Sequence, residues 1–593
     1  MPGLTLVWRG HGDRETEPVF PQSDSDWESR VLHASARLWL AARAYRGYPI
    51  SVHEHGTMVT VVEGHLYGNT SLEEVGRAML ATPPDTAVLG RWLERIDGDF
   101  VLVAIDRRED RAALVNDRYG RLPLYVSRGA ERIVVSRDLS IAATRPHMRL
   151  ARGAVAQFLL LGYPLGTATL HEAVERVRPA TLLSGAEASA HTLVTPRFDT
   201  KTDAPDAGER LCAALVEACR VRATGAAPNL ITLSGGIDSR MVAAALRRAG
   251  VMARTVTHSD VHGVAARDVT VARQVSERLE MPWELIPLEP ARGREMTALL
   301  RMKYGANYLG MSYVLPFFAR LAEEHGRSAV LFTGDGGDKV LVDQRPVVRL
   351  RDDAEVVDYI LRRESILPPD VVAAVVGISR GEIASGVRER VASYPESTAE
   401  QRYVHFILTE RATNFLFEGE DRNRHFLWTV TPFYAPTVFE LAMSVPDERK
   451  AEHRLRSDVL NLLGPEVADL VNASTGYPLG DARFRRRARL EALVKRFLYR
   501  TMPPALELRI RRWMNPPHGY SAQSGALHAV RTLVHSCPAV RDYLDLEAVD
   551  RLLGEAGIYR REQFSVLLTV AALVDEVTHD GRVLASLGDL VFD

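Results

Sequence analysis

Residues 230–250 read LITLSGGIDSRMVAAALRRAG. The apolar run Leu230 to Leu233 has the look of a buried strand and stops at Ser234-Gly235-Gly236. A helix-like stretch follows and ends at Gly250. A turn that leaves a parallel strand and opens a helix lies at the carboxyl end of the sheet, where open α/β folds bind ligands. Its unpaired N–H groups and positive helix end favour an anion. Gly235 and Gly236 let the backbone approach a phosphate closely, while Ser234 and Ser239 can donate hydroxyls. The turn has neither the Gly-Lys-Ser/Thr of a Walker loop nor the spacing of a dinucleotide fingerprint.

Around this turn the pattern alternates strand and helix. Expected strands are NLITLS (229–234), ARTVTHS (253–259), WELIPL (283–288) and AVLFTG (329–334), with a helix over 265–279. This predicts parallel βαβ units with right-handed crossovers. From about residue 360 the chain reads mostly helical. Upstream, residues 98–126 alternate apolar runs with charged turns, and 132–138 supply another strand, which predicts antiparallel hairpins. Residues 71–80 and 87–96 have the spacing of amphipathic helices, and the polar stretch 198–210 reads as a linker. The fold class expected is α/β and multi-domain. A chain of 593 residues is also too long for one hydrophobic core.

A second turn, LFTGDGGDKV (331–340), ends a predicted strand with two aspartates, Asp335 and Asp338. Two strand-end turns could place Asp238 and Asp338 around one Mg²⁺, which prefers one or two carboxylates plus phosphate oxygens.

Composition excludes several classes. The net charge of −2 argues against a general grip on nucleic acid. No stretch approaches the ~18 uninterrupted apolar residues of a membrane helix. The N-terminus lacks a secretory pattern, so a cytoplasmic location is expected. Cys212, Cys219 and Cys537 fit neither a disulfide framework nor a zinc cluster by spacing, and Cys212 and Cys219 are expected to be buried thiols.

The two turns resemble those of the ATP-pyrophosphatase superfamily, and the chain as a whole resembles the type B asparagine synthetases. The resemblance runs through IDGDFVLVAID (96–106), NDRYGRLPLYV (116–126), ATLHEAVERVRPATLL (168–183), LSGGIDS, TGDGGD and TPFYAPTVFELAMSVPDERK (431–450). It implies an N-terminal glutaminase-like (Ntn-type) sandwich over 1–198. It also implies a parallel-sheet synthetase domain with extra helices over 205–593, using ATP and Mg²⁺. ATP would meet Leu233, Ser234, Gly235, Gly236, Asp238, Ser239, Thr257, Thr333 and Gly334, with His258 beside Thr257, and the metal would meet Asp238 and Asp338.

Two departures narrow the reading. A working glutaminase of this family uses a cysteine exposed by removal of the initiator methionine; here Pro2 stands there, and no cysteine precedes Cys212. Without a thiol the thioester that releases ammonia from glutamine cannot form. The second turn is Gly-Asp-Gly-Gly-Asp-Lys, which resembles the macrolactam cyclases of lasso peptide biosynthesis more than the asparagine synthetases. The resemblance then implies a precursor peptide as substrate, a leader-binding protein and a leader peptidase as partners, and no nucleic acid or membrane partner. β-Lactam synthetases are the alternative branch, and a catalytically dead scaffold is the non-enzymatic one.

By the same resemblance, Asp335 takes one place of a base dyad and Glu418 or Glu420, in FEGEDRNRH (417–425), the other. The lysine that usually contacts the adenylate is missing from VNASTGYPLGD (471–481); Ser474 or Thr475 falls near its place, and Lys339, Lys450 or Arg454 could substitute. Three features are expected to be structural: the HEH strand (53–55), the basic run 483–512 and the apolar helix FSVLLTVAALV (564–574).

Overall fold

The computed structural model describes residues 1–10, 17–18, 20, 26–143, 148–202, 204–260, 266–502, 523–555 and 561–592. Two six-stranded antiparallel sheets come first. One runs Val174–Arg176, Tyr125–Arg128, Arg132–Ser136, Gly3–Arg9, Leu38–Tyr45, Trp27–Ala34. The other runs Ser189–Thr192, Thr181–Ser184, Arg111–Asn116, Asp97–Asp106, Met58–Tyr67, Ile50–His55. Along Asp97–Asp106 the period of two sorts the side chains. Val101, Val103 and Ile105 meet Leu4, Leu6 and Leu40 of the facing sheet. Phe100, Leu102 and Ala104 join the cluster formed with helices Leu72–Leu80 and Thr86–Arg95. Both faces are buried, which is why the strand reads as a continuous apolar run rather than an alternation.

The third sheet is parallel throughout, in the order Trp283–Leu288, Ala253–Asp260, Asn229–Thr232, Val330–Phe332, Trp428–Val430. The first of these in sequence, Asn229–Thr232, sits in the middle. The chain builds outward on one side of it and then returns to build on the other. The switch point therefore lies between Asn229–Thr232 and Val330–Phe332, and both glycine turns leave the sheet there. The fifth strand, Trp428–Val430, is only three residues long, too short to carry a periodic signal.

Beyond residue 350 helices dominate, and their core includes the upstream helix Arg152–Leu161. The helix Arg561–His579 buries Phe564, Val566, Leu567, Leu568 and Val570, as expected of a core helix. Cys212 and Cys219 are buried free thiols. His53 and His55 pair with Ser51 and Thr60, and no third ligand joins them among the described residues. The basic run forms the helix Ala482–Thr501, which buries only Phe484 and Leu498; residues 503–512 lie outside the described residues. No described helix is long and apolar enough to cross a membrane.

Candidate active site

Gly236 is the N-cap of the helix Ile237–Arg248 and offers no side-chain cap, so the first N–H groups of the helix point outward unsatisfied by a side chain. Ser234 and Ser239 close the turn over one another: their hydroxyls lie 3.0 Å apart, the Ser234 amide donates to Ser239 Oγ at 3.1 Å, and Gly236 N–H donates to Ser234 Oγ at 3.2 Å. Behind the turn the fully buried Arg240 donates to the carbonyls of Val467, Leu470 and Val471. That anchors 471–477 over the glycines, where Ala473 N–H donates to Gly235 O at 3.1 Å.

The second turn fits against the first without spare room. A Cβ on Gly334 would fall on the Ser239 backbone, and one on Gly337 would lie 2.5 Å from Asp238 Oδ1. Gly336 has φ +85° against the Tyr434 ring, a conformation that favours glycine. Glycines here bring the backbones of two strand ends together.

The contact gathers charge. Arg456 Nη2 lies 2.5 Å from Asp238 Oδ1, and Lys339 Nζ lies 2.9 Å from Asp338 Oδ2. Burial pushes the Asp238 carboxyl up to about 6; the charges of Asp338 and Asp335 add to this, against the pull of Arg456. Three carboxylates, Asp238, Asp338 and Asp335, thus stand near one uncapped helix end. An acid-rich cradle beside an anion site fits Mg²⁺ held with phosphate oxygens. Of the cations expected here, Arg454 is turned away and pairs with Glu452. Lys450 is buried among the charges of Lys201, Asp447 and Asp343. Ser474 folds back onto Asn472 Oδ1, and the Thr475 hydroxyl bonds within its own turn. Arg456 was not singled out in the sequence; its place in RLR, two residues past Arg454, carries no separate signal.

A cavity of about 270 Å³ opens beside the turns. Thr232, His258, Thr333 and Asp335 line it from the strand ends, and Gly419 and Arg422 from the helix Phe417–Arg424. Phe317, Phe318 and Phe415 form its apolar wall. Burial raises the Asp335 carboxyl, while the Arg422 guanidinium opposes that rise. Arg422 itself is pushed down to about 10 by burial.

Three sets of expected residues lie outside the cavity lining. Glu418 faces away from the cavity: Lys303 Nζ is 2.7 Å from its Oε2, Tyr125 OH donates to its Oε1 at 2.6 Å, and Arg176 pairs with it too. Glu420 points the same way, between Arg121 and Arg424 at 3.3 and 3.2 Å. Leu233 and Thr257 do not line the cavity either. The Leu233 amide donates to Val256 O, its carbonyl accepts the Thr257 hydroxyl at 2.8 Å, and Trp283 Nε1 donates to that same hydroxyl. The lining positions are one residue along, at Thr232 and His258.

Residues 210–575 match the asparagine synthase family model, well over half of the chain. The chain belongs to the asparagine synthase family. Upstream, residues 22–196 match the glutamine amidotransferase domain model. The carboxyethyl-arginine β-lactam-synthase of Streptomyces clavuligerus is 29% identical over 276 residues, 43% of this chain and 48% of that protein. The chain thus spans about half the length of the curated relative it matches. Two solved structures align at TM-scores of 0.19 each. NMN synthetase from Francisella tularensis does so at 14% identity, over 38% of this chain and 97% of its own. An allosteric regulatory enzyme of purine biosynthesis does so at 9%, over 48% and 80%. Pro2 is buried at the start of the first sheet, and Cys212 and Cys219 lie on the later helix Ala207–Arg222.

Proposed function

We propose that the protein is an ATP-dependent, AMP-forming amide ligase that closes a macrolactam in a ribosomal precursor peptide. Residues 1–198 would form a glutaminase-like domain without glutaminase chemistry, and residues 205–593 the adenylating domain. The observation that carries the reading is the absence of any cysteine before Cys212 combined with two complete glycine turns: a chain that handles phosphate without a thiol to release ammonia would take its nitrogen from an amine the substrate brings. An oxygen of an Asp or Glu side-chain carboxylate attacks the α-phosphate; the bond to the β-phosphate breaks, and pyrophosphate leaves into the turn of Ser234, Gly235, Gly236 and Ser239. The N-terminal amine then attacks the acyl carbon and AMP departs. Asp335, in the cavity wall, takes the proton the amine loses. Phe317, Phe318 and Phe415 keep water from the adenylate. Mg²⁺ held by Asp238 and Asp338 would offset charge on the departing pyrophosphate. A leader-binding protein and a leader peptidase would supply the freed core peptide.

The similarity to a β-lactam-synthase favours a second reading, in which the amine and carboxylate belong to a small β-amino acid. One experiment separates the readings. Short peptides with leaders removed are incubated with protein, ATP and Mg²⁺, following peptide mass and nucleotide together. Loss of one water from the peptide with AMP and pyrophosphate appearing supports the cyclase; AMP without a cyclised peptide shifts the reading to the small substrate; no turnover, even with the neighbouring leader proteins present, favours a scaffold. The site assignment has its own check by calorimetry: with Mg²⁺, ATP should bind the native protein and not Asp238→Ala, and equal binding would overturn it.

A further inference from the structure

Remote from the cavity, Cys537, Asp575 and His579 bring one ligand atom each to a common point, all within 4.8 Å of one another. Cys537 follows the helix Gln523–Ser536, while Asp575 and His579 share one face of the helix Arg561–His579. The His579 Nδ1 lies 3.5 Å from Cys537 Sγ and 3.8 Å from Asp575 Oδ1. A nucleophilic triad would need the two imidazole nitrogens to face opposite ways, one to the sulfur and one to the carboxylate. Here a single nitrogen faces both, so no proton can be relayed between them.

Convergence of three ligand atoms is the geometry of a metal site. Tetrahedral zinc, with bonds of about 2.3 Å to sulfur and about 2.0–2.2 Å to nitrogen and oxygen, separates its ligand atoms by about 3.4–3.6 Å. A second observation points the same way. Asp575 is fully buried; its Oδ2 accepts from Leu584 N–H at 2.9 Å, but Oδ1 has no hydrogen-bond partner among the described residues. A buried carboxylate oxygen left unpaired is costly, and a cation would satisfy it. The Thr578 hydroxyl lies 3.0 Å from the same His579 nitrogen and would yield its place to a metal.

We infer that Cys537, Asp575 and His579 bind a zinc ion through Sγ, Oδ1 and Nδ1. Thiolate with imidazole and carboxylate suits zinc and not Mg²⁺. The imidazole is 42% exposed, which gives the ion an entry path and leaves a fourth position for water. Binding releases the thiol proton to solvent. The ion ties the end of one helix to the last turn of another. That second helix also supports the cavity: its Thr569 hydroxyl accepts the Leu309 N–H at 2.8 Å, at the start of Leu309–Val314, which supplies Val314 to the lining. The assignment does not depend on the proposed reaction.

The test uses the full chain, stripped with chelator and then titrated with Zn²⁺ or Co²⁺. The expected result is one zinc per chain by elemental analysis, a rise in Tm on zinc addition, and a thiolate-to-cobalt charge-transfer band in the near ultraviolet. Cys537→Ser should lose the band, and His579→Gln should bind zinc at least about tenfold more weakly. The histidine sits at the surface, so its substitution leaves the core intact should the serine variant fail to fold. Asp238→Ala should retain the band, which separates this site from the phosphate turns. No cobalt–thiolate band in the native chain, or zinc held equally well by His579→Gln, would overturn the assignment.

Discussion

Gly334 stands where a methyl group would meet the Ser239 amide, and the obstacle is backbone, which cannot rotate aside. Gly334→Ala should therefore push the two turns apart, at a cost of about 1–3 kcal/mol in stability. It should also weaken ATP binding by about tenfold or more, measured by calorimetry; unchanged affinity would show that the turns act separately. Asp335 differs in kind: it lines the cavity, and in the proposed reaction it takes a proton rather than binding phosphate. Asp335→Asn should leave pyrophosphate release largely intact while product formation falls by roughly 10²–10⁴, a split that a merely structural aspartate would not give. Lys450 offers a pH test. Its ammonium is pushed down to about 7, first by burial and then by the Lys201 charge, against the pull of Asp447 and Asp343. Between that value and its ordinary 10.5, the unfolded chain carries a proton that the folded chain lacks. Stability should rise with pH through this window and be lowest below it, by at most about 1.4 kcal/mol per pH unit. Lys450→Met removes the titration, so Tm of the native chain should climb relative to the variant between about pH 7 and about pH 9. Parallel curves would mean that Lys450 stays charged when folded.

The helix Phe417–Arg424 shows what the sequence could tell and where it stopped. Its residues are recognisable as part of a site, yet the glutamates expected to do the chemistry are held in ion pairs away from the cavity that Gly419 and Arg422 line. Two π-helical stretches, Phe406–Glu410 and Ala412–Leu416, lead into it, and each π turn shifts the phase that a 3.6-residue period would assign. The strands that carry the glycine turns were legible because they are apolar runs ended by turn residues. The ion pairs of Glu418 were not, since Arg176 and Tyr125 lie far away in the chain. Glu418→Gln accordingly tests a role in structure: it leaves Arg176 and Lys303 partly unpaired in a dry environment. The expected loss is about 3–5 kcal/mol in urea unfolding, with the acid limb of the pH–rate profile unchanged. Disappearance of that limb would return Glu418 to the chemistry.

At the level of the whole molecule, the strand-bearing N-terminal part, which contains no cysteine, grips the cavity helix. Arg121 lies 2.5 Å from Asp99 within that half and reaches across to Glu420. Arg137 lies 2.8 Å from Glu63 and reaches Asp421, which Lys303 meets from its own side. Burial alone would raise the Asp421 carboxyl, but the Arg137 and Lys303 charges hold it well below the usual range. The helix is thus fixed by the ion pairs of Glu420 and Asp421, while Gly419 and Arg422 line the cavity. The helix Arg152–Leu161 inserts into the core of the helical half as well. Residues 205–593 alone would expose that apolar core to water and lose the ion pairs that Arg176, Arg121 and Arg137 make with Glu418, Glu420 and Asp421. Exposing apolar surface costs about 25 cal/mol per Å², and an ordinary domain has only about 5–15 kcal/mol to lose. The separated piece should therefore show no cooperative thermal transition by circular dichroism and no ATP binding, and co-expression with residues 1–198 should restore both. A cooperative transition close to that of the full chain would show that the N-terminal half no longer positions the cavity helix, and the ionic contacts between the halves would then have no bearing on the reaction.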